Sequence, residues 1–391
     1  MPIINRIADY HDEMTAWRRD LHMHPETAFE EVRTSDFVAG KLAEFGYEVH
    51  RGLARTGVVG TLKGAKGDNG RAIGLRADMD ALNMEEKNTF GHRSQYKGKM
   101  HGCGHDGHIT MLLGAARYLA ETRKFAGTIH LIFQPAEEGA GGGRRMVEDG
   151  LFEMFPVEAV YGMHNMPGIP VGSFGTRTGA ILTAMDLFEI RVEGVGTHAA
   201  TPELGIDPIV VASQIVLGLQ AIVSRELSPL MSVVLTITEF RAGTGALNNV
   251  PDHAMLRGTA RILNPEVRDS IEERVRRIVE GIAHAHRARV HIKYWHNYPP
   301  LVTDPAHTKF IVGVAEEVAG KGKVDPDYPP NMASEDFSFM LQKKPGAYVF
   351  IGAGLEEGGR ILHNPLYDFN DEILPIGASY WARLVETSMT K

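Results

Sequence analysis

"GHITMLLGAARYLAETR", Gly107 to Arg123, is the stretch on which the fold turns. Its apolar residues Ile109, Leu112, Leu113, Ala116 and Leu119 recur close to every 3.6 residues, the period of a helix with one buried face. Short apolar runs flank it, "RAIGLRADMDAL" at 71–82 and "GTIHLIFQP" at 127–135, and "EAVYGMHN" follows at 158–165. These read as buried strands that run out into polar loops. Strands alternating with helices over residues 1–183 predict a mostly parallel sheet covered by helices. In open sheets of this kind ligands gather beyond the carboxyl ends of the strands. The polar clusters of this chain fall at those ends.

From about Met185 the pattern changes. "MDLFEIRVEG" is strand-like, and Asp207 to Leu227 is helix-like, with Asp207 as N-cap and Pro208 at the first helical position. Two strand-like runs follow, "SVVLTITEFRAG" and "AMLRGTARIL". Asn264–Pro265 then opens a second helix with the stripe Val267, Ile271, Val275, Ile278 and Ile282, and "ARVHIKYWH" closes the series as a strand. The order β-α-β-β-α-β predicts a ferredoxin-like unit. Beyond Tyr298 mixed segments return: a helix from Asp304–Pro305, a short one from Ser334, the strand "GAYVFIGAG" and a final helix. The expected assembly is a discontinuous α/β domain, 1–184 with 298–391, carrying an inserted α+β domain at 185–297.

With 391 residues, two domains are the natural expectation. The net charge of −8 and scattered Lys and Arg argue against a nucleic-acid partner. A single cysteine excludes an internal disulfide framework and suits a reducing, cytoplasmic setting. Neither a signal peptide at the N-terminus nor a membrane-spanning run is read from the sequence.

That one cysteine stands in "MHGCGHDGHITML", residues 100–112, among three histidines. Cys103 and His105 are two apart beside glycines that let the backbone turn tightly, so both can face one divalent ion. Taken alone, Cys103 reads equally as a small buried hydrophobe, and His101 and His108 as ordinary polar residues. Other segments add weight. "FQPAEEGAGGG" puts Glu137 and Glu138 at a strand end, where one carboxylate can bind metal and the other act as base. "YGMHN" ends a strand at His164, and "RILHNP" places His363 before the final helix. Five candidate ligands from four segments suit two metals sharing a bridge, since a lone zinc needs only three or four.

The motifs "WRRDLHMHPETAFEE", "RADMDAL", "MHGCGHDGHITMLLGAA", "QPAEEGAGGG", "MHN", "GTHAATPELGIDPI", "NVPD", "GTAR", "SEDF" and "HNPLYDF" occur in the order seen in the M20 metallopeptidase clan. The chain resembles most its amidohydrolase branch, which includes hippurate hydrolases, N-acyl-amino-acid hydrolases and plant auxin-conjugate hydrolases. The resemblance covers essentially the whole chain. It implies a dinuclear catalytic domain with an inserted lid that also dimerises, giving a homodimer or larger homo-oligomer. It implies two divalent metal ions per subunit (Zn, Mn, Ni or Co) held by Cys103, His105, Glu138, His164 and His363. Cys103 matches the bridging position, an aspartate in most of the wider clan. Glu137 matches the general base. Asp78 occupies the place of an aspartate that supports the metal centre, although Arg76 stands where the clan has a ligand histidine two residues before it. His198 matches a lid histidine that approaches the scissile carbonyl. Asn248 and Arg261 match lid residues that hold a substrate carboxylate. The implied activity is hydrolysis of N-acyl amino acids, hippurate-like or N-acetyl, with a dipeptidase or carboxypeptidase as the alternative.

Several of these residues have plainer readings from the sequence. His198 also reads as a loop histidine, Arg261 as a sheet-face arginine, and Asp78 and Asp80 as strand terminators. In "ASEDFSFM", Ser334 reads as a helix N-cap, with Glu335 and Asp336 at the positive helix end. His22 and His24 have no ligand role in the resemblance.

Overall fold

A computed structural model describes residues 3–354 and 361–390. In chain order its main elements begin with the helices α1 (His11–Met23) and α2 (Val32–Glu44) and the strands β1 (Glu48–Leu53), β2 (Gly57–Lys63) and β3 (Ala72–Asp78). Next come α3 (His105–Thr122), β4 (Thr128–Gln134), α4 (Gly142–Glu148), β5 (Ala159–Pro167), β6 (Phe174–Gly175) and β7 (Ala184–Glu193). Helix α5 (Pro208–Ala221) is followed by β8 (Val233–Ala242), β9 (His253–Ile262), α6 (Arg268–Ala285) and β10 (Arg289–Tyr298). The chain continues with α7 (Pro305–Ala319), β11 (Val324–Asp325), β12 (Gly346–Gly354) and α8 (Leu374–Ser388).

The chain divides into two compact units. The first comprises residues up to Gly179, Val302–Pro329 and the chain from Asp336 onward. The second comprises Ala180–Leu301 with Pro330–Glu335.

An eight-stranded sheet in the order β1-β2-β4-β3-β5-β12-β6-β11 organises the first unit. Its centre, β4-β3-β5-β12, is parallel throughout, as the alternation of strands and helices predicts. The antiparallel pairs lie toward the edges: β1 with β2, β2 with β4, and β12 with β6. Helix α3 packs against β3 of this sheet and against the helices α1 and α8. Ile109, Leu112, Leu113 and Leu119 are fully buried, each worth roughly 1.5–3 kcal/mol by the usual transfer scale. The helix starts two residues earlier than its periodicity indicates, at His105. Gly104 precedes it at φ 92°, a left-handed conformation that glycine adopts without steric cost.

The second unit is a four-stranded antiparallel sheet in the order β8-β9-β7-β10, the predicted ferredoxin-like topology. Asp207 caps α5 by accepting Ile209 N–H at 2.8 Å. Val211, Ala212, Ile215 and Leu219 bury one face of α5, and Ile271, Val275 and Val279 one face of α6. Buried Asp186 on β7 ties strand to helix, accepting from Arg268 Nη2 at 2.6 Å and from Tyr294 Oη at 3.0 Å. The segment Pro208–Glu226, which the sequence reading did not flag, is long and apolar enough to cross a membrane by length and composition alone. Its inner face packs into the core of this unit, while Val210 and Leu217 point outward, Leu217 being 73% exposed.

Candidate metal centre

Three loops, together with β5 and the start of α3, bring the sequence-predicted ligands together. Cys103 lies in the loop before α3 and His105 is the first residue of that helix. Glu138 follows β4, His164 lies within β5, and His363 precedes α8. Among the described residues, two of the sets of three ligand atoms that lie within 4.8 Å of one another contain Cys103: Cys103 with His105 and His164, and Cys103 with Glu138 and His363. Cys103 is common to both. Its Sγ lies 3.5 Å from His164 Nε2, and His363 Nε2 lies 3.3 Å from Glu138 Oε1. His363, at φ 62°, is tied to the cysteine loop by its own N–H, which donates to Gly102 O at 2.8 Å.

Each ring is held through Nδ1, which leaves Nε2 facing the cluster. His105 Nδ1 donates to the carbonyl of Asp80 at 2.8 Å, and His164 Nδ1 to that of Asn165 at 2.7 Å. In its neutral form each ring therefore offers Nε2 as a lone-pair donor. His105 Nε2 and Glu138 Oε1 are buried with no hydrogen-bond partner. A buried polar atom left unpaired costs about 1–3 kcal/mol. Two such atoms that can each offer a lone pair, beside a buried thiol, fit a bound cation.

Burial and the nearby Glu138 carboxylate push the Cys103 thiol up. Burial also lowers His164, helped by His108. Burial opposes the charged forms of Asp78 and His105, yet their mutual attraction prevails, with Arg76 assisting Asp78: Asp78 lies well below the carboxylate range and His105 well above its ordinary value.

Asp78 ends β3 beside this cluster, and with His105 and His108 it forms a further set of three candidate ligand atoms. Its Oδ1 accepts from His108 Nδ1 at 2.6 Å and its Oδ2 from Arg76 Nη1 at 2.8 Å, while His105 Nε2 lies 3.7 Å away. Arg76, in the place of the clan's ligand histidine, also reaches Gln134 Oε1 at 2.9 Å. His108 is therefore more than a polar residue at a helix start. Its Nε2 lies 2.7 Å from the side chain of Asn165, which reaches on to Tyr367 Oη at 2.7 Å. Gly104 is required beneath this chain, because a Cβ there would lie 2.3 Å from Asn165 Oδ1. Glu137 is buried beside the cluster, its Oε1 accepting from Asp336 N–H at 3.4 Å.

The remaining candidates lie in the second unit. His198 and Asn248 stand on adjoining segments: Thr197–His198 pairs with Asn249–Val250, and Ala199 N–H donates to Asn248 O at 3.0 Å. Arg261 is on β9, flanked in register by Met185 on β7 and Val234 on β8, and its Nη1 donates to Ser334 Oγ. Ser334 is thus no helix cap. The short helix begins at Ser338, and Asp336 instead accepts from Gly143 N–H at 2.7 Å and from Gln134 Nε2 at 2.7 Å. The sequence reading passed over Glu31, Asn165 and Tyr367. No spacing signal marks them, since each acts through residues far along the chain.

Residues 74–387 match the model of peptidase family M20/M25/M40. The chain belongs to this family. Hippurate hydrolase of Campylobacter jejuni is 42% identical over 98% of both chains. N-acetyl-L-cysteine deacetylase of Bacillus subtilis is 40% identical over 93% of this chain and 85% of its own. A crystal structure described as a dinuclear metal-binding peptidase from the M20 family, from Bacillus subtilis, superposes with a TM-score of 0.83 at 34% identity, covering 98% of this chain and 99% of that one. Family membership makes the protein a hydrolase of amide bonds.

Proposed function

We propose that the protein is a metal-dependent amidohydrolase that splits N-acyl amino acids, hippurate-like or N-acetyl, into a carboxylic acid and a free amino acid. One observation carries this reading: two sets of three ligand atoms share Cys103, with buried Glu137 beside them. The similarity to a hippurate hydrolase and an N-acetyl-L-cysteine deacetylase supports the substrate class. In this reading Cys103, His105, Glu138, His164 and His363 would hold two divalent ions drawn from Zn, Mn, Ni or Co, and Cys103 belongs to both sets of candidate ligands. When bound, such ions lower the pKa of a shared water and polarise the attacked carbonyl.

The chain's own groups then divide the work. Glu137 takes the water proton and later delivers it to the departing amine. Arg261 receives the free carboxylate of the amino-acid half through a planar guanidinium that can bind it bidentately, and Ser334 fixes one of its nitrogens. Asn248 adds a neutral donor, and His198 supplies an N–H to the oxyanion.

A homodimer through the second unit completes the proposal. Strand β8 is a sheet edge and α5 carries exposed Val210 and Leu217. A second copy of this chain would pair the edge and cover the apolar face. Light scattering at working concentration is expected to give twice the chain mass, and a single-chain mass would overturn this part. The one cysteine, placed among the ligands, suits a cytoplasmic enzyme.

The test of function is amino-acid release from N-benzoyl, N-acetyl and indoleacetyl amino acids and from dipeptides, by metal-loaded wild type and Glu137→Ala. Turnover of the acyl amino acids that vanishes in the variant supports the reading. Turnover of dipeptides alone would replace it with a peptidase.

A further inference from the structure

The four-stranded sheet of the second unit has two unlike faces. On β9, Ala254, Leu256, Gly258, Ala260 and Ile262 are buried, while Met255, Arg257, Thr259 and Arg261 between them are not. Successive side chains of a strand alternate in direction, so Arg261 lies on the face that α5 and α6 leave uncovered.

Strand register arranges this open face in rows. Arg261 is flanked by Val234 on β8 and Met185 on β7. The next row, two residues along, holds Thr259 on β9, Leu187 on β7 and Trp295 on β10. The third row is charged, with Arg257, Glu189 and Lys293 side by side. Diagonal neighbours on one face are about 7–8 Å apart, so Leu187 is within a side chain's reach of Arg261.

The charges of the third row satisfy one another. Arg257 Nε donates to Glu189 Oε2 at 2.9 Å, Arg257 Nη1 to Glu239 Oε2 at 3.4 Å, and Lys293 Nζ to Glu189 Oε1 at 3.5 Å. Arg261 differs. Its side chain donates to the neutral hydroxyl of Ser334, and among the described residues no carboxylate pairs with it. Beside it the surface is apolar and open: Leu187 is 38% exposed, Val234 42% and Trp295 47%. Thr259, between them, already donates its hydroxyl to Asp186 O at 2.9 Å.

A cation without a carboxylate, next to an apolar strip bounded by charges that are already paired, is complementary to one kind of small molecule. That molecule carries a carboxylate with an apolar substituent close by. An N-acyl amino acid with an aliphatic or aromatic side chain has this form. A charged side chain would meet no free counter-charge on the strip, and covering it unpaired is costly.

We propose that this open face is the subsite for the amino-acid side chain of the substrate. Arg261 holds the carboxylate, and Leu187 and Trp295 take up an apolar side chain. The preferred substrates are then N-acyl derivatives of leucine-like or phenylalanine-like amino acids, ahead of glycine and of charged amino acids. The proposal rests on the reading of Arg261 as the carboxylate holder of an amidohydrolase.

The test measures kcat/KM of the metal-loaded enzyme on N-acetylleucine, N-acetylglycine and N-acetylglutamate, for wild type, Trp295→Ala and Leu187→Ser. Covering a leucine side chain is worth roughly tenfold or more. N-acetylleucine should therefore lead both other substrates by at least that factor. Each substitution should cut the leucine-to-glycine ratio at least threefold, through a raised KM for N-acetylleucine. A second readout needs no turnover. Trp17 and Trp381 are 6% and 1% exposed, so acrylamide quenches mainly the fluorescence of Trp295. N-acetylleucine should shield Trp295 in wild type and fail to do so in Arg261→Ala, and N-acetylglycine should shield it less.

Equal kcat/KM for leucine and glycine substrates would overturn the proposal, as would a ratio that neither substitution moves. Shielding of Trp295 that follows protein concentration instead of ligand would also overturn it, and would assign the face to a second copy of this chain. A wild type that turns over no N-acyl amino acid would overturn the functional reading instead. Shielding by N-acetylleucine would then judge the subsite by itself, its absence counting against the proposal.

Discussion

Cys103 Sγ lies 3.5 Å from His164 Nε2, on an imidazole whose other nitrogen is committed to the carbonyl of Asn165. The thiol therefore faces a lone pair, an arrangement that serves a pair of metal ligands and a thiol–imidazole nucleophile alike, and a substitution separates the two. Cys103→Ser replaces a soft thiolate with a poor ligand for zinc-like ions. It should lower metal content per chain, measured by elemental analysis after gel filtration, in parallel with turnover. Full metal content with turnover abolished would identify the cysteine as the attacking group.

Glu137→Gln keeps the size of the side chain and removes its basicity. Because Glu137 is assigned proton transfer and not ligation, metal content should stay at the wild-type level. The kcat on N-acyl amino acids should fall about 10²–10⁴-fold, the usual contribution of a general base. A matching loss of metal would mean that Glu137 is a ligand.

Arg261 is read through the carboxylate that it would pair. Arg261→Ala should raise KM for N-benzoylglycine by roughly 10–100-fold, the equivalent of a charged hydrogen bond worth about 1.5–3 kcal/mol. N-benzoylglycinamide, which lacks the charge, should be turned over equally by wild type and variant. A loss on both substrates would assign Arg261 a structural role instead.

The legible part of this molecule is the part written in side-chain identity. Ile109, Leu112 and Leu119 announced α3 by their period, and the clustering of Cys103, His105, Glu137, Glu138 and His164 near strand ends announced a site. Asp80 and Glu31 were illegible because they bind backbone N–H groups, which are the same at every position. His108 looked like an ordinary helical residue because its partners, Asp78 and Asn165, lie 30 and 57 residues away. Ser334 misled for a related reason: serine is a favoured helix cap, and only the folded second unit shows that Arg261 claims its hydroxyl.

A separate prediction concerns stability. His130 on β4 is 6% exposed, its Nδ1 lies 2.9 Å from Thr61 Oγ1, and burial lowers its pKa to about 4. The unfolded chain takes up a proton at about pH 6.5 that the folded chain refuses. Stability contributed by the neutral ring is therefore fully present above pH 6.5 and is lost as the pH falls toward 4. The loss approaches about 3 kcal/mol at its limit. Urea unfolding between pH 7 and 4 should show this decline in wild type and a shallower one in His130→Gln. Parallel curves would show that His130 titrates normally in the fold.

Met185 and Tyr298 are register partners, the first near the start of β7 and the second at the end of β10. The inserted segment thus leaves and rejoins the chain at neighbouring points. Between His164 and His363 run about 200 residues, of which the insert is roughly half. Each doubling of an open loop costs only about 0.6 kcal/mol of closure entropy. A melted insert would therefore weaken the meeting of those two ligands by a factor of about three. The segment bearing Arg261 and His198 is, in chain-statistical terms, nearly a free appendage of the centre. If His164 and His363 hold metal as proposed, its loops and strands can drift in sequence at little cost to the meeting of that pair.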